Sequence, residues 1–168
     1  MYKLTGIVMV FGALWGFLYS KVQAITSEYN NLKEMIKALT YLKQELKFSS
    51  GELGRVCKEI SGRTQLQVSE IFGGIADILK ENVCDFYQAW YGTIRGKKIF
   101  SKETENALEE FAQNLGKKSL DIELENIEKT IEILSQIEEY EGEKTTKHKK
   151  LIYTLGASVG AALIILVI

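Results

Sequence analysis

Proline is absent from the 168 residues of this chain. Because proline punctuates loops and strand edges, its absence fits helices joined by short connections. Cysteine is scarce, with Cys57 and Cys84 the two examples. Two widely spaced thiols do not make a disulfide framework and fit small buried hydrophobes in a reducing compartment. Histidine occurs once, as His148. One imidazole and two scattered thiols do not supply a zinc site, and a Ser–His or Cys–His pair would have to draw on His148 alone. No Walker A loop is present, so a phosphate cradle of that kind is excluded. The 21 basic and 22 acidic residues nearly cancel, without the basic excess of a nucleic-acid-binding domain. The sequence therefore assigns no catalytic, cofactor or metal residue and no nucleic-acid partner.

Charge is also missing locally. No charged residue lies within Leu4–Ser20 or within Leu151–Ile168, while 20 of the 21 basic residues and all 22 acidic ones lie between them. That segregation is the layout of an anchored domain. At 1.5 Å per residue, Leu151–Ile168 spans about 27 Å, just short of a hydrocarbon core of roughly 30 Å. Lys149 and Lys150 can snorkel to make up the difference. The expected organisation is a transmembrane helix over residues 1–20, a helical domain over 21–150 and a second transmembrane helix over 151–168. The first apolar segment has a competing reading as a signal peptide, because Val22-Gln23-Ala24 resembles a cleavage site. Trp15, Phe17, Tyr19 and Lys21 spoil that pattern and favour a retained anchor. The Lys147–Lys150 cluster and Lys21, Lys33 and Lys37 place the middle domain on the cytoplasmic side. Lys3 opposes this weakly.

Each span carries glycines four residues apart, Gly12 and Gly16 in the first and Gly156 and Gly160 in the second. Such pairs clear one helix face for a neighbouring backbone. In an antiparallel hairpin both pairs would lie about 9–10 Å below the cytoplasmic boundary, so the spans are expected to pack on each other or on a partner.

The middle reads as all-α. Val22, Ile25, Tyr29, Leu32, Ile36, Leu39, Leu42 and Leu46 recur every three or four residues and mark one face of a long helix. It follows the first span without a stop signal. Ser49-Ser-Gly-Glu52 predicts a capping box for a short helix ended by Ser61-Gly62. A third helix is expected over Leu66–Leu79, with Gly73-Gly74 a weak point or close contact. Asn82 is the expected cap of a fourth helix bearing Phe86, Trp90 and Ile94. Ser101 begins a fifth, closed by Gly116. The sixth starts near Ser119 and carries Leu120, Leu124, Ile127, Ile131, Leu134 and Ile137, with Gly142 loosening it before the membrane. The expected fold is a bundle of about six helices. Glu123, Glu125, Glu128 and Glu132 read as the solvated face of that last helix.

Arg95, Lys97 and Lys98 form a basic turn. It can be an ordinary soluble loop, a grip on an acidic partner or a contact with anionic headgroups. Phe86, Tyr87, Trp90 and Tyr91 at helical spacing read as core rather than as a stacking platform.

Several stretches in a fixed order resemble a known family. They are Lys3-Leu4-x-Gly6 before an apolar span, Leu39-Thr-Tyr-Leu42-Lys-Gln-Glu45-Leu46, Gly51-Glu-Leu53, Phe111-Ala-Gln-Asn-Leu115-Gly116, and Leu155-Gly156-x-x-x-Gly160 in an apolar tail. Together they are similar to the stage III sporulation protein AB family of endospore-forming bacteria, over essentially the whole chain. The chain departs from the family pattern at Ser27-Glu28-Tyr29-Asn30 and at Lys117–Asp121, so no binding role is carried to those positions. The resemblance implies a helical domain like the cytoplasmic domain of the type II secretion F platform protein. It also implies a non-enzymatic place in the channel complex between mother cell and forespore, in the outer forespore membrane and facing the mother-cell cytoplasm. The implied partners are a secretion-type ATPase like sporulation protein AA, other membrane proteins of the complex and the lipid bilayer, with self-association left open. A signal-cleaved, tail-anchored extracytoplasmic adaptor is the alternative.

Overall fold

With every backbone N–H available and few strand-forming runs, this chain favours local hydrogen bonds of the helical kind. The computed structural model describes residues 2–48, 52–81 and 84–167; the side chains of Lys21, Lys149 and most residues before 19 and after 152 fall outside the description. Among the described residues all regular structure is α-helix: α1 (Tyr2–Phe48), α2 (Leu53–Arg63), α3 (Leu66–Leu79), α4 (Phe86–Ile94), α5 (Lys102–Asn114) and α6 (Leu120–Val167). The all-α, six-helix expectation agrees with this. Among the described residues no helix is long and apolar enough to cross a membrane. Most side chains of the two expected spans, Leu4–Ser20 and Leu151–Ile168, lie outside that description.

The chain divides into two units, one made of Met1–Ser27 with Tyr140–Ile168 and the other of Glu28–Glu139. In the first unit Gln23 Nε2 donates to Tyr19 Oη at 3.1 Å, and the Lys144 ammonium sits 4.0 Å from the centre of the Tyr140 ring. Lys147 and Glu143 pair at 3.0 Å across one helical turn. α6 continues unbroken through Gly142. A single helical glycine costs only about 1 kcal/mol, too little to end a helix flanked by good formers, and the carbonyl of Gly142 accepts from Thr146 Oγ1.

The second unit holds the core. Tyr29 Oη donates to Glu138 Oε1 at 2.9 Å, and Lys43 Nζ reaches Glu128 Oε1 at 2.8 Å; rising numbers on α1 meet falling numbers on α6, so the two helices run antiparallel here. The hydrogen bond to the Glu138 carboxylate, with burial, raises the Tyr29 phenol above its ordinary value. Leu32, Met35, Leu39 and Leu42 of α1 are fully buried with Val56 and Ile60 of α2, Ile71, Phe72 and Ile75 of α3, Leu108 of α5, and Ile127 and Leu134 of α6. Each such side chain contributes about 1.5–3 kcal/mol through removal from water. The glutamates at 125, 128 and 132 are exposed, as their position on the polar face requires.

Helix boundaries follow local caps. Ser49 lies outside the described residues, and Glu52, expected at the third position of a capping box, is instead the N-cap of α2 without a side-chain bond. α2 runs past Ser61-Gly62 to Arg63, because Ser61 is locked to α3 and the terminating Thr64 donates its hydroxyl to Ile60 O at 2.8 Å. Asn82 also lies outside the described residues. The cap of α4 is Asp85, whose Oδ1 accepts from the Gln88 N–H at 2.8 Å. Ser101 caps α5 as expected, and Gly116 follows it with φ +82°, a left-handed turn that glycine takes without strain. Cys57 is buried while Cys84 is only half-buried, and neither is bonded.

A candidate partner-binding cleft

The turn containing Arg95, Lys97 and Lys98 is shaped by Gly96. Its φ of +80° lets the Lys97 N–H return to Ile94 O at 3.0 Å. The chain then buries Ile99 and Phe100 and enters α5 at the Ser101 cap. This excursion separates the C-terminal half of α4 from the N-terminal half of α5. Between them lies a cleft of about 300 Å³.

Its floor is apolar, built from Trp90, Ile94, Phe100 and Leu108. Phe86 holds Trp90 from beneath, their rings stacked with centroids 6.2 Å apart, and meets Phe111 edge-on at the same distance. Such aromatic pairs contribute about 0.5–1.5 kcal/mol beyond burial. Tyr87 and Tyr91 form one wall, with ring centroids 6.3 Å apart. Tyr87 Oη donates to Glu109 Oε1 at 3.3 Å, tying that wall to α5. Tyr91 remains 50% exposed. The Arg95 guanidinium lies 5.8 Å from the Tyr91 ring centre, within cation–π range.

The rim is dipolar. Arg95 and Lys97 line it from the α4–α5 turn and Glu105 and Glu109 from α5. Lys98 is exposed on the same turn but does not line the cleft. Among the described residues, none of the three cations forms an ion pair with a carboxylate. The lining offers hydrophobic, aromatic and charged contacts, which suit recognition. Elsewhere, His148 Nδ1 lies 2.9 Å from the Lys144 carbonyl, and no group of residues that could hold a metal ion occurs among the described residues.

The expectation that four aromatic residues of α4 are core holds for Phe86 and Trp90, which are 3% exposed, and fails for Tyr91. α4 turns its 86/90 stripe fully inward, and the adjacent 87/91 stripe lies at the edge of the packed face, with Tyr87 partly buried against the core and Tyr91 exposed. That adjacency was the available signal for Tyr87 and Tyr91, together with the lack of any charge between Asp85 and Arg95. Glu105 and Glu109 had no such signal. The glycine pairs are elsewhere. Among the described residues a Cβ placed on Gly12 or Gly16 would meet nothing within 4 Å, and the surroundings of Gly156 and Gly160 lie outside the description.

A family model described as stage III sporulation protein AB matches residues 3–168. A solved structure titled "Stage III sporulation protein AB" is similar in fold, with a TM-score of 0.65 and 18% sequence identity, covering 71% of this chain and 97% of that one. No curated protein matches. Since the family model takes in nearly every residue, the chain belongs to the stage III sporulation protein AB family.

Proposed function

We propose that this sporulation protein is a non-enzymatic membrane platform that couples a cytoplasmic secretion-type ATPase, like sporulation protein AA, to the channel machinery between mother cell and forespore. The observation that carries this reading is the continuity of the two longest helices. α1 and α6 each supply core residues to the second unit and each run on, without a break, into an apolar terminal segment. Residues 1–20 and 151–168 then act as transmembrane anchors in the outer forespore membrane, with the intervening domain in the mother-cell cytoplasm. Gly12, Gly16, Gly156 and Gly160 supply small-residue faces for packing within the bilayer. Arg95, Lys97 and Lys98 belong to the surface that meets a partner. A platform of this kind needs rigid helices, exposed recognition surfaces and no reactive centre of its own.

Full chain in lipid nanodiscs, titrated with the ATPase of the same organism near physiological salt, provides the test. Micromolar or tighter binding, about −8 kcal/mol, supports coupling; absence of binding by well-folded chain refutes it. Insertion is checked separately by protease protection of residues 151–168 in vesicles, and full digestion would remove the anchor reading. Extra glycines inserted at Gly142 should abolish channel function while leaving ATPase binding intact, and normal sporulation would remove mechanical transmission through α6.

A further inference from the structure

We propose that the cleft between α4 and α5 receives an amphipathic helix of a partner protein, one that sets a leucine or aromatic side chain over Trp90 and a carboxylate against Arg95 and Lys97. The inference deepens the platform reading and rests on it only for which protein supplies the helix. Three observations carry it.

The first is the surface of α4. This helix has no charged residue, yet it leaves Tyr91 half in solvent with a guanidinium over its ring. Tyrosine, tryptophan and arginine are the residues that anchor protein interfaces, whereas ordinary helix surfaces are charged. The second is size. About 300 Å³ accommodates one or two large side chains, and it lies at the bottom of the range of about 300–1,000 Å³ typical of small-molecule sites. A projecting side chain on a helix meets that requirement. The third is the dipolar rim. A ligand with a carboxylate one helical turn from a basic residue satisfies Arg95 and Lys97 of the turn and Glu105 and Glu109 of α5, because residues three or four apart share a helix face. The same rim disfavours an anionic bilayer, which would bring headgroup charge against Glu105 and Glu109 as well as against the cations.

Peptides provide the test. Random dodecapeptides displayed on phage are selected on full chain in phosphatidylcholine nanodiscs and counter-selected on the Arg95→Glu/Lys97→Glu protein. The expected winners join leucine or phenylalanine to an acidic residue three or four positions away. As synthetic peptides they should lose about tenfold or more in affinity on Arg95→Glu/Lys97→Glu and on Tyr91→Ala, and change by less than about twofold on Lys129→Glu, a reversal on α6 away from the cleft. Circular dichroism establishes that each variant is folded. Recovery of no peptide that distinguishes the two proteins, or of basic peptides alone, overturns the proposal. So does displacement of the peptides by phosphatidylglycerol in the discs, which would give the surface to lipid. ATPase titration of the same proteins judges the platform reading independently: peptides that bind beside an ATPase that does not would retain the cleft and refute the coupling.

Discussion

The α2–α3 pair and the α4–α5 pair are neighbours in one bundle, and they solve helix packing in opposite ways. Between α2 and α3 glycine and serine stand at points of close approach. Ser61 Oγ donates to Ser69 O at 2.9 Å while Ser69 Oγ donates to Ser61 O at 2.7 Å, a reciprocal clasp. A Cβ on Gly73 would lie 3.1 Å from Ser61 Oγ, and one on Gly54 would lie 3.4 Å from Leu79 Cβ. At Gly73 an added methyl has to displace Ser61 Oγ by a few tenths of an ångström. Between α4 and α5 the facing residues are aromatic or charged, and the turn through Gly96 adds separation, so a cleft remains. Side-chain size at the crossing decides whether two helices close on each other or present a surface to a third body.

Truncating one large side chain from each pair is the strongest way to break this contrast. Phe72, fully buried on α3, becomes a cavity on substitution by alanine, and Phe72→Ala should cost about 3–5 kcal/mol in denaturant unfolding followed by circular dichroism. Tyr91→Ala on the cleft wall should cost less than about 1 kcal/mol, because much of that side chain already meets water. Equal losses would mean that the cleft is part of the core.

Alkali probes the closed side more gently. Burial in α2 pushes the Cys57 thiol from 9.0 up to about 12. Below about pH 9 the thiol is protonated in both folded and unfolded chains and contributes no pH dependence. Between pH 9 and 12 the unfolded chain releases the proton and the folded chain keeps it. Stability then falls by about 1.4 kcal/mol per pH unit from this group. Cys57→Ala should flatten the unfolding free energy over that window relative to the parent chain, all other groups being shared. Parallel slopes would show the thiol to be open to water.

A smaller effect sharpens the account of the clasp. Gly73→Ala adds helix propensity of about 1 kcal/mol but drives a methyl against Ser61 Oγ, which is held by its bond to Ser69 O and cannot retreat freely. The two contributions should nearly cancel. In a Ser61→Ala background the obstruction is gone, and the same Gly73→Ala change should stabilise by about 1 kcal/mol. The coupling read from the double-mutant cycle should therefore be about 0.5–1 kcal/mol; additivity would show that the helices are not in close contact at Gly73.

Much of this architecture was legible in the sequence, and the illegible parts share a cause. Periodicity located α3 at its observed ends, Leu66–Leu79, and marked Leu32, Leu39 and Leu42 as buried, because burial of an apolar stripe is a local pattern. The α1 stripe did not reveal that Asn31 and Glu34 are also buried. They are inside because distant segments need them. Asn31 Nδ2 donates to Gln67 Oε1 at 2.8 Å and to Ile99 O at 3.4 Å, and Glu34 Oε2 accepts the Gln65 N–H at 3.1 Å. Its other oxygen holds Lys37 at 2.6 Å, and that hydrogen bond raises the lysine above its ordinary value. The basic turn of the candidate site was visible as three cations in four residues. Its acidic counterpart was not, because Glu105 and Glu109 face it only after α4 and α5 pack, and the same spacing describes any solvated helix.

The smallest effect concerns the junction that those two polar residues hold. Leu66, the first residue of α3, has φ +58° and is 54% exposed. A left-handed conformation costs a leucine about 1–2 kcal/mol, and so exposed a side chain recovers little of that by burial. The bond from the Gln65 N–H to Glu34 holds the backbone just before it, and Asn31 ties down the Gln67 side chain just after it, which is how the strain persists. Alanine keeps the Cβ and hence the strain, while glycine removes both. The usual helical order, in which alanine exceeds glycine by about 1 kcal/mol, should therefore invert, with Leu66→Gly more stable than Leu66→Ala by about 1 kcal/mol. Substituting Glu34→Ala first should erase the inversion, since a junction whose Gln65 N–H is no longer held can relax to negative φ and restore alanine's advantage.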